Sequence, residues 1–222
     1  MQRRDVFVTG GTGYLGRRLV PELLRRGHAV RALVRAGSTA RLPPGCTAVV
    51  GDALDRRTFE AAVPPADTLV QLVGTPRPNP SKAREFRAVD LVSARESAAA
   101  AVAAGVRHVV YVSVARPAPL MKAYIEARTE GEAAIRASGI AATFLRPWYV
   151  LGPGHRWASA LLPAYWLLER LPPTREGARR LGLVRLGEMI AALVEAVEHP
   201  PEGVRIVEVP EIRRAPARPA GA

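Results

Sequence analysis

"VFVTGGTGYLGRRLV", residues 6–20, sets four glycines between a short apolar run and a basic, leucine-containing stretch. Val6 to Val8 end in Thr9, the glycines follow at once, and an amphipathic helix is expected from Tyr14, so the segment reads as strand, turn and helix. That context lets a glycine turn cradle the pyrophosphate of a dinucleotide. Gly10 or Gly11 turns the chain at positive φ, Gly13 admits phosphate where a Cβ would stand, and Gly16 lets the helix approach the strand. Amides at the helix start and the positive end of its dipole then face the anion. The expected cofactor-binding turn is Thr9, Gly10, Gly11, Thr12, Gly13, Tyr14, Leu15 and Gly16. Its glycines count two ways, as Gly11-x-Gly13-x-x-Gly16 or as Gly10-x-x-Gly13-x-x-Gly16.

Outward from this turn, valine-rich runs alternate with alanine- and leucine-rich segments, the pattern of βαβ units and a parallel sheet. Strands are expected at Val6–Thr9, Ala29–Val34, Ala48–Gly51, Thr68–Val73, His108–Ser113 and Ala142–Arg146, and helices at Tyr14–Arg26, Arg56–Val63, Arg84–Ala104, Ala123–Ser138 and Leu186–Glu198. Asp55 and Ser81 stand at N-cap positions, and Gly27, Gly105 and Gly139 where helices should stop. The 222 residues, 48% of them hydrophobic, suit one globular unit with its own core. A single cysteine, Cys46, excludes an internal disulfide, and Met1 to Asp5 lead straight into a strand, so the expected compartment is the cytoplasm.

The formal charge of +12 raises nucleic acid as a partner. Against it, all of the 32 basic residues but Lys82 and Lys122 are arginines scattered along the chain, and no nucleic-acid-binding motif accompanies them.

A site for NAD places an acidic residue at the end of the second strand, to bond the ribose 2′-hydroxyl. Between Glu22 and Asp52 there is no acid, and the strand ends in Arg35, whose planar cation suits a 2′-phosphate. NADP(H) is therefore expected in preference to NAD(H), with Arg35 as a solvated strand-end charge the alternative.

Beyond the turn, "GDALD" at 51–55, "VVYVSV" at 109–114, "AYIEARTEGE" at 123–132 and "FLRPWYVLGPG" at 144–154 follow in order. In this order over residues 5–210 the chain resembles the short-chain dehydrogenase/reductase superfamily, and more narrowly its atypical NAD(P)H-binding members, the NmrA-like proteins and relatives of a complex I accessory subunit. The resemblance implies a Rossmann-type, doubly wound parallel sheet with helices on both faces and a small C-terminal substrate cap. It implies one NAD(P)-binding domain over 1–212 and a cap largely within 152–185, while the tail "RRAPARPAGA", 213–222, has too little apolar surface to fold and is expected to be disordered. It places Asp52 with Ala53 beside the adenine, Gly74 beside the cofactor after the fourth strand, and Ser113 and Tyr124 near the nicotinamide. Tyr124 would protonate a carbonyl oxygen as hydride arrives, with Ser113 as a hydrogen-bond partner.

One position departs from the family. Its Tyr-x-x-x-Lys is here Tyr124-Ile125-Glu126-Ala127-Arg128, so Arg128 stands where lysine lowers the phenol pKa and holds the ribose. Four residues apart, the two share a helix face, and the fixed charge would still favour tyrosinate, yet a guanidinium is wider than an ammonium. Lys122 points to another face. Tyr124 also suits an ordinary core position.

"HRWASALLPAYWLLERLPP", residues 155–173, lies where the family builds its cap. Its aromatics suggest an apolar pocket for a small-molecule substrate, the run is too short for a membrane span, and Arg175, Arg179 and Arg180 after it leave peripheral membrane contact open. His28, His108, His155 and His199 are scattered and no metal site is expected. The alanine-rich Ser93–Ala104 would pack on the sheet or across a homodimer interface, so the choice of monomer or homodimer stays open. Three readings follow: an NADPH-dependent reductase of a small apolar carbonyl, a non-catalytic NAD(P)H-binding sensor or accessory subunit, and a charge-driven nucleic-acid binder.

Overall fold

The computed structural model describes residues 2–153 and 162–215. β1 (Asp5–Thr9) leads through the glycine turn to α1 (Gly16–Arg25) and β2 (Ala29–Val34), then β3 (Thr47–Val50) and β4 (Thr68–Gln71). A one-turn α2 (Ala83–Glu85) and a π-helical segment (Phe86–Leu91) run into α3 (Val92–Ala103), followed by β5 (His108–Val112), α4 (Lys122–Ala137) and β6 (Ala141–Arg146). The C-terminal part holds β7 (Tyr149–Leu151), α5 (Leu162–Leu168), α6 (Arg175–Arg180), β8 (Leu183–Arg185), α7 (Leu186–Glu198), β9 (Val204–Glu208) and α8 (Val209–Arg214).

Seven strands pair in the order β3-β2-β1-β4-β5-β6-β9, every pair parallel. Both faces are covered, which explains why the strands read as unbroken apolar runs. In β1, Val6 and Val8 join Leu19, Leu23, Met189 and Leu193 of α1 and α7 on one face. Phe7 turns to the other, with Leu69, Val109, Phe144, Ile135 and Ala94. The alanines of α3 belong to this second core, so that helix lies on the sheet, as one of the two readings held. The expected doubly wound α/β architecture is the one observed.

Several boundaries differ from the sequence reading. Arg56–Val63 is not an α-helix but two 3-10 turns, Arg56–Thr58 and Glu60–Ala62. Phe59 between them is pulled into the core at φ −142°, and Pro64 and Pro65 close the segment. Asp55 does cap the first turn, accepting from the Arg57 amide at 3.1 Å, whereas Ser81 is not a cap: Asn79 takes that role, accepting from the Ser81 amide at 3.0 Å. α1 begins at Gly16 rather than Tyr14. β9 and α8 are additional elements. α8 corrects the start of the expected tail, because Arg213 within it donates to the Leu183 carbonyl at 2.9 Å and pairs with Glu169 at 2.7 Å. Residues 216–222 lie outside the described residues, as does the start of the 155–173 stretch, up to residue 161 and including His155.

β7 and β8 form a separate two-stranded parallel sheet, on which Tyr165 of α5 packs with Tyr149, Leu151 and Leu183. This small layer stands in the region expected to cap the site.

Candidate functional site

Two regions at the C-terminal ends of the strands carry the candidate residues. The first is the β1–α1 turn. Gly10 has φ +76°, and its carbonyl accepts from the Gly13 amide at 2.9 Å. A Cβ on Gly16 would stand 2.3 Å from the Gly10 oxygen and 2.5 Å from that of Gly11, so the helix can begin there only with glycine. Gly13 is less crowded: a Cβ built on it would meet only the Gly10 oxygen within 4 Å, though tightly, at 3.1 Å. The structure thus favours the Gly10-x-x-Gly13-x-x-Gly16 count, while Gly11 serves packing, its would-be Cβ 2.8 Å from the Ala32 methyl of β2. A dinucleotide pyrophosphate fits this turn, which carries no side chain at Gly13 and stands at the N-terminus of α1. Burial raises the Tyr14 phenol above its ordinary value.

Arg35 follows β2 and is exposed. The neighbouring arginines are occupied: Arg25 and Arg26 bond Glu22, Arg26 reaches Glu198 as well, and Arg31 donates to the carbonyls of Ala62, Val63 and Pro64. Arg35 has no such partner among the described residues. Asp52 follows β3, exposed, and its carboxylate accepts from the Leu54 amide at 2.9 Å, while Ala53 packs partly into the second core.

The second region centres on α4. Tyr124, Arg128 and Glu132 recur every fourth residue on its inner face. The helix is preceded by Met121 at φ +63°, a left-handed conformation that strains a methionine. Tyr124 is half-buried, its ring edge-on to Phe86 with centroids 5.0 Å apart. The Arg128 guanidinium lies 5.3 Å from the Tyr124 ring centroid and 5.6 Å from that of Tyr111. It is buried, pairs with Asp90 at 2.7 Å and donates to the Val112 carbonyl at 2.8 Å. Gly74 makes this possible, since a Cβ there would fall 2.0 Å from an Arg128 nitrogen. Asp90, fully buried in the π-helical segment, also accepts from the amide and hydroxyl of Thr75 at 3.0 and 2.6 Å. Burial works against the Arg128 charge, but Tyr124, Tyr111 and Asp90 outweigh it and hold the guanidinium above its ordinary pKa. Burial pushes Tyr111 up to about 12.

Ser113 does not present its hydroxyl to Tyr124. It donates to Glu132 at 2.6 Å, and the same carboxylate takes Arg146 at 2.6 Å and Arg116 at 2.8 Å. Arg146 also bonds Glu208 at 3.0 Å, tying β6 to β9. Burial alone would raise the Glu132 carboxyl, yet hydrogen bonds from Arg146 and Ser113 bring it below the ordinary carboxylate value.

Thus Tyr124, Arg128 and Gly74 come together, Ser113 is engaged with Glu132 two turns along the same helix, and Arg35 stands with the glycine turn's half of the sheet. Sequence reasoning missed Asp90, Thr75, Glu132 and Arg146. The available signal was an acid within apolar "AVDLVSA" and a glutamate four residues after Arg128. Among the described residues no cluster could hold a metal ion, and no helix is long and apolar enough to cross a membrane.

Residues 10–155 match the NAD(P)H-binding family. The chain is 31% identical over 219 residues to the ceramide reductase of Caulobacter vibrioides, covering 96% of this chain and 66% of that protein. It is also 31% identical over 242 residues to the 3-diazoavenalumate denitrifying reductase of a Streptomyces species, covering 96% of this chain and 77% of that one. In fold it resembles the Bordetella bronchiseptica enzyme WbmH in complex with NAD+, with a TM-score of 0.69 at 22% identity over 92% of this chain and 75% of that one. The chain spans just under two thirds of the Caulobacter protein. It belongs to the NAD(P)H-binding family and, through it, to the atypical members of the short-chain dehydrogenase/reductase superfamily.

Proposed function

We propose that the chain is an NADPH-dependent reductase that passes hydride to the carbonyl carbon of an apolar, lipid-like substrate. The observation that carries the reading is the shared α4 face, where the half-buried Tyr124 phenol ring stands 5.3 Å from a fixed positive charge. Bound over the glycine turn, the reduced dinucleotide supplies the hydride. Tyr124 donates its phenolic proton to the carbonyl oxygen, so that hydride and proton together convert C=O to CH–OH, and solvent returns the proton to the tyrosine. Arg128 stands beside the Tyr124 ring with one terminal nitrogen on Asp90 and the other on the Val112 carbonyl, so it positions the ring and does not itself bond the substrate. Arg35 takes the 2′-phosphate, and Asp52 with Ala53 borders the adenine. Two relatives at 31% identity are named reductases, and the first is named for a membrane lipid, which supports an apolar substrate.

Tyr124→Phe tests the reading on NADPH oxidation with a panel of long-chain and cyclic ketones. Turnover is expected to fall at least about 100-fold with the dissociation constant for NADPH within twofold of wild type. Turnover equal to wild type removes Tyr124 from the chemistry.

One observation favours a non-catalytic, NADPH-binding sensor as the second reading. Arg128 is committed to Asp90 and Val112, so it does not offer the ribose the free cation a lysine would. This reading expects NADPH binding with no consumption across the whole panel, and a single well-turned-over ketone rejects it.

A further inference from the structure

The described hydrophobic residues of α5 divide into one that packs and several that do not. Tyr165 turns inward onto Tyr149, Leu151 and Leu183, and Glu169 anchors the helix end to Arg213 of α8 at 2.7 Å. With the helix fixed that way, Trp166 is 59% exposed, Leu167 53% and Leu168 38%, and Leu171 in the turn that follows is 44% exposed. Elsewhere the exposed large hydrophobics are Val50, Leu54, Val102, Leu120 and Val204, scattered over separate elements, whereas these four fall within six residues of chain. Contiguous apolar exposure of this kind marks a contact surface.

Its borders are cationic. The Arg170 guanidinium covers the Trp166 ring at 3.3 Å from the centroid. Next along the chain, Arg175, Arg179 and Arg180 line a cleft of about 500 Å³ together with Pro172, Glu176, Glu208 and Pro210. Arg180 is partly answered by Glu176 at 3.7 Å, while Arg175 and Arg179 are exposed and meet no carboxylate among the described residues. A tryptophan and three leucines exposed within residues 166–171, followed along the chain by the exposed Arg175 and Arg179, combine apolar side chains with cations at headgroup depth.

We infer that the α5–α6 face is a docking surface for an anionic lipid bilayer. Trp166, Leu167, Leu168 and Leu171 enter the acyl boundary, and Arg170, Arg175 and Arg179 meet lipid phosphates. Charge complementarity selects this occupant, because a protein of formal charge +12 places unanswered cations around its one clustered apolar patch among the described residues. The inference does not rest on the reductase reading, since its readout is binding without turnover.

The test uses the full chain and phosphatidylglycerol vesicles, with phosphatidylcholine vesicles as the neutral control, in sedimentation at physiological salt. Wild type is expected to pellet with the anionic vesicles and not with the neutral ones. Trp166→Ser with Leu167→Ser should lower the partition coefficient at least tenfold with NADPH affinity unchanged. Adsorption by net charge alone predicts no effect of that double substitution, and such a result overturns the inference, as does failure of wild type to pellet. A change in oligomeric state on sizing of the double variant assigns the patch to a second copy and likewise overturns it. Should the double variant misfold, Trp166→Phe, a mild change, serves instead. Brominated phosphatidylglycerol is expected to quench wild-type fluorescence more than that of Trp166→Phe, and equal quenching rejects insertion of Trp166.

Discussion

The glycine turn and the tyrosine helix flank the same sheet and are built by opposite means. At the turn, room is made by leaving atoms out: a Cβ on Gly13 would press on the Gly10 oxygen, Gly16 lies against the backbone oxygens of Gly10 and Gly11, and the cation after β2 is exposed. At the tyrosine helix, room is filled with charge. Arg128 and Asp90 pair in the interior, and Glu132 holds Arg146 and Arg116 around Ser113. The difference teaches what a buried arginine demands of its surroundings. Its wider fork needs a carboxylate, a strand-end carbonyl and a residue without Cβ, and Asp90, Val112 and Gly74 supply them.

The largest expected effect breaks this second arrangement. Arg128→Met leaves the Asp90 carboxylate buried without its cation and should cost about 3–5 kcal/mol in urea unfolding. Replacing both, Asp90→Leu with Arg128→Met, should recover at least half of that loss, because a buried pair exchanged for apolar groups of similar volume is often neutral. A single-variant cost below about 1 kcal/mol would show that Arg128 is held by packing and not by its partner.

The same half of the sheet should also carry a pH dependence. His108 opens β5, buried, with Nε2 2.9 Å from the Thr143 hydroxyl, and burial, aided by the Arg4 charge, lowers its pKa from 6.5 to about 4. Between these values the unfolded chain holds a proton that the folded one does not, so stability should fall as pH drops from about 6.5 toward 4, by up to about 3 kcal/mol. His108→Gln, which keeps a partner for Thr143, should flatten this slope, and unfolding midpoints at pH 7 and pH 5 measure it. An unchanged slope would assign the acid sensitivity to other groups.

At the glycine turn the expected loss falls on binding. Gly16→Ala brings a methyl to within 2.3 Å of the Gly10 oxygen, which neither backbone can yield without moving the start of α1. NADPH affinity should drop at least about 100-fold, or about 2.7 kcal/mol, by calorimetry. Unchanged affinity would mean that the turn is structural and the dinucleotide sits elsewhere.

What the sequence made legible follows the same division. The turn could be read because its demands are local: Thr9 ends a strand, a helix follows within a few residues, and the missing Cβ atoms announce themselves in order, although the helix start fell two residues later than expected, at Gly16. The valine-rich strands could be read because both sheet faces are covered. β9 escaped because it is a half-exposed edge strand broken up by Arg205 and Glu208. The partners of the tyrosine helix escaped for a different reason. Asp90 meets Arg128 from another helix, and Ser113 meets Glu132 across the gap between β5 and α4, so neither pairing has a spacing that sequence can show. The helical spacing of Tyr124, Arg128 and Glu132 was visible, but which neighbour each would choose depended on the tertiary fold.

The smallest expected effect sharpens the comparison at its most exposed point. Arg25, Arg26 and Arg31 are all spoken for by Glu22, Glu198 or the carbonyls of residues 62–64, which leaves Arg35 as the cation of this cluster able to meet a 2′-phosphate. An exposed pair is worth little unless it is bidentate, as a guanidinium on a phosphate can be, so Arg35→Ala should weaken NADPH about tenfold, or about 1.4 kcal/mol, and leave NADH within twofold. Added salt should narrow the gap between the two dinucleotides in wild type and leave the variant nearly indifferent, because screening acts on the contact the variant lacks. Equal affinity for NADPH and NADH in wild type would make Arg35 a solvated strand-end charge, and the preference for the phosphorylated cofactor would fall while the glycine turn stood.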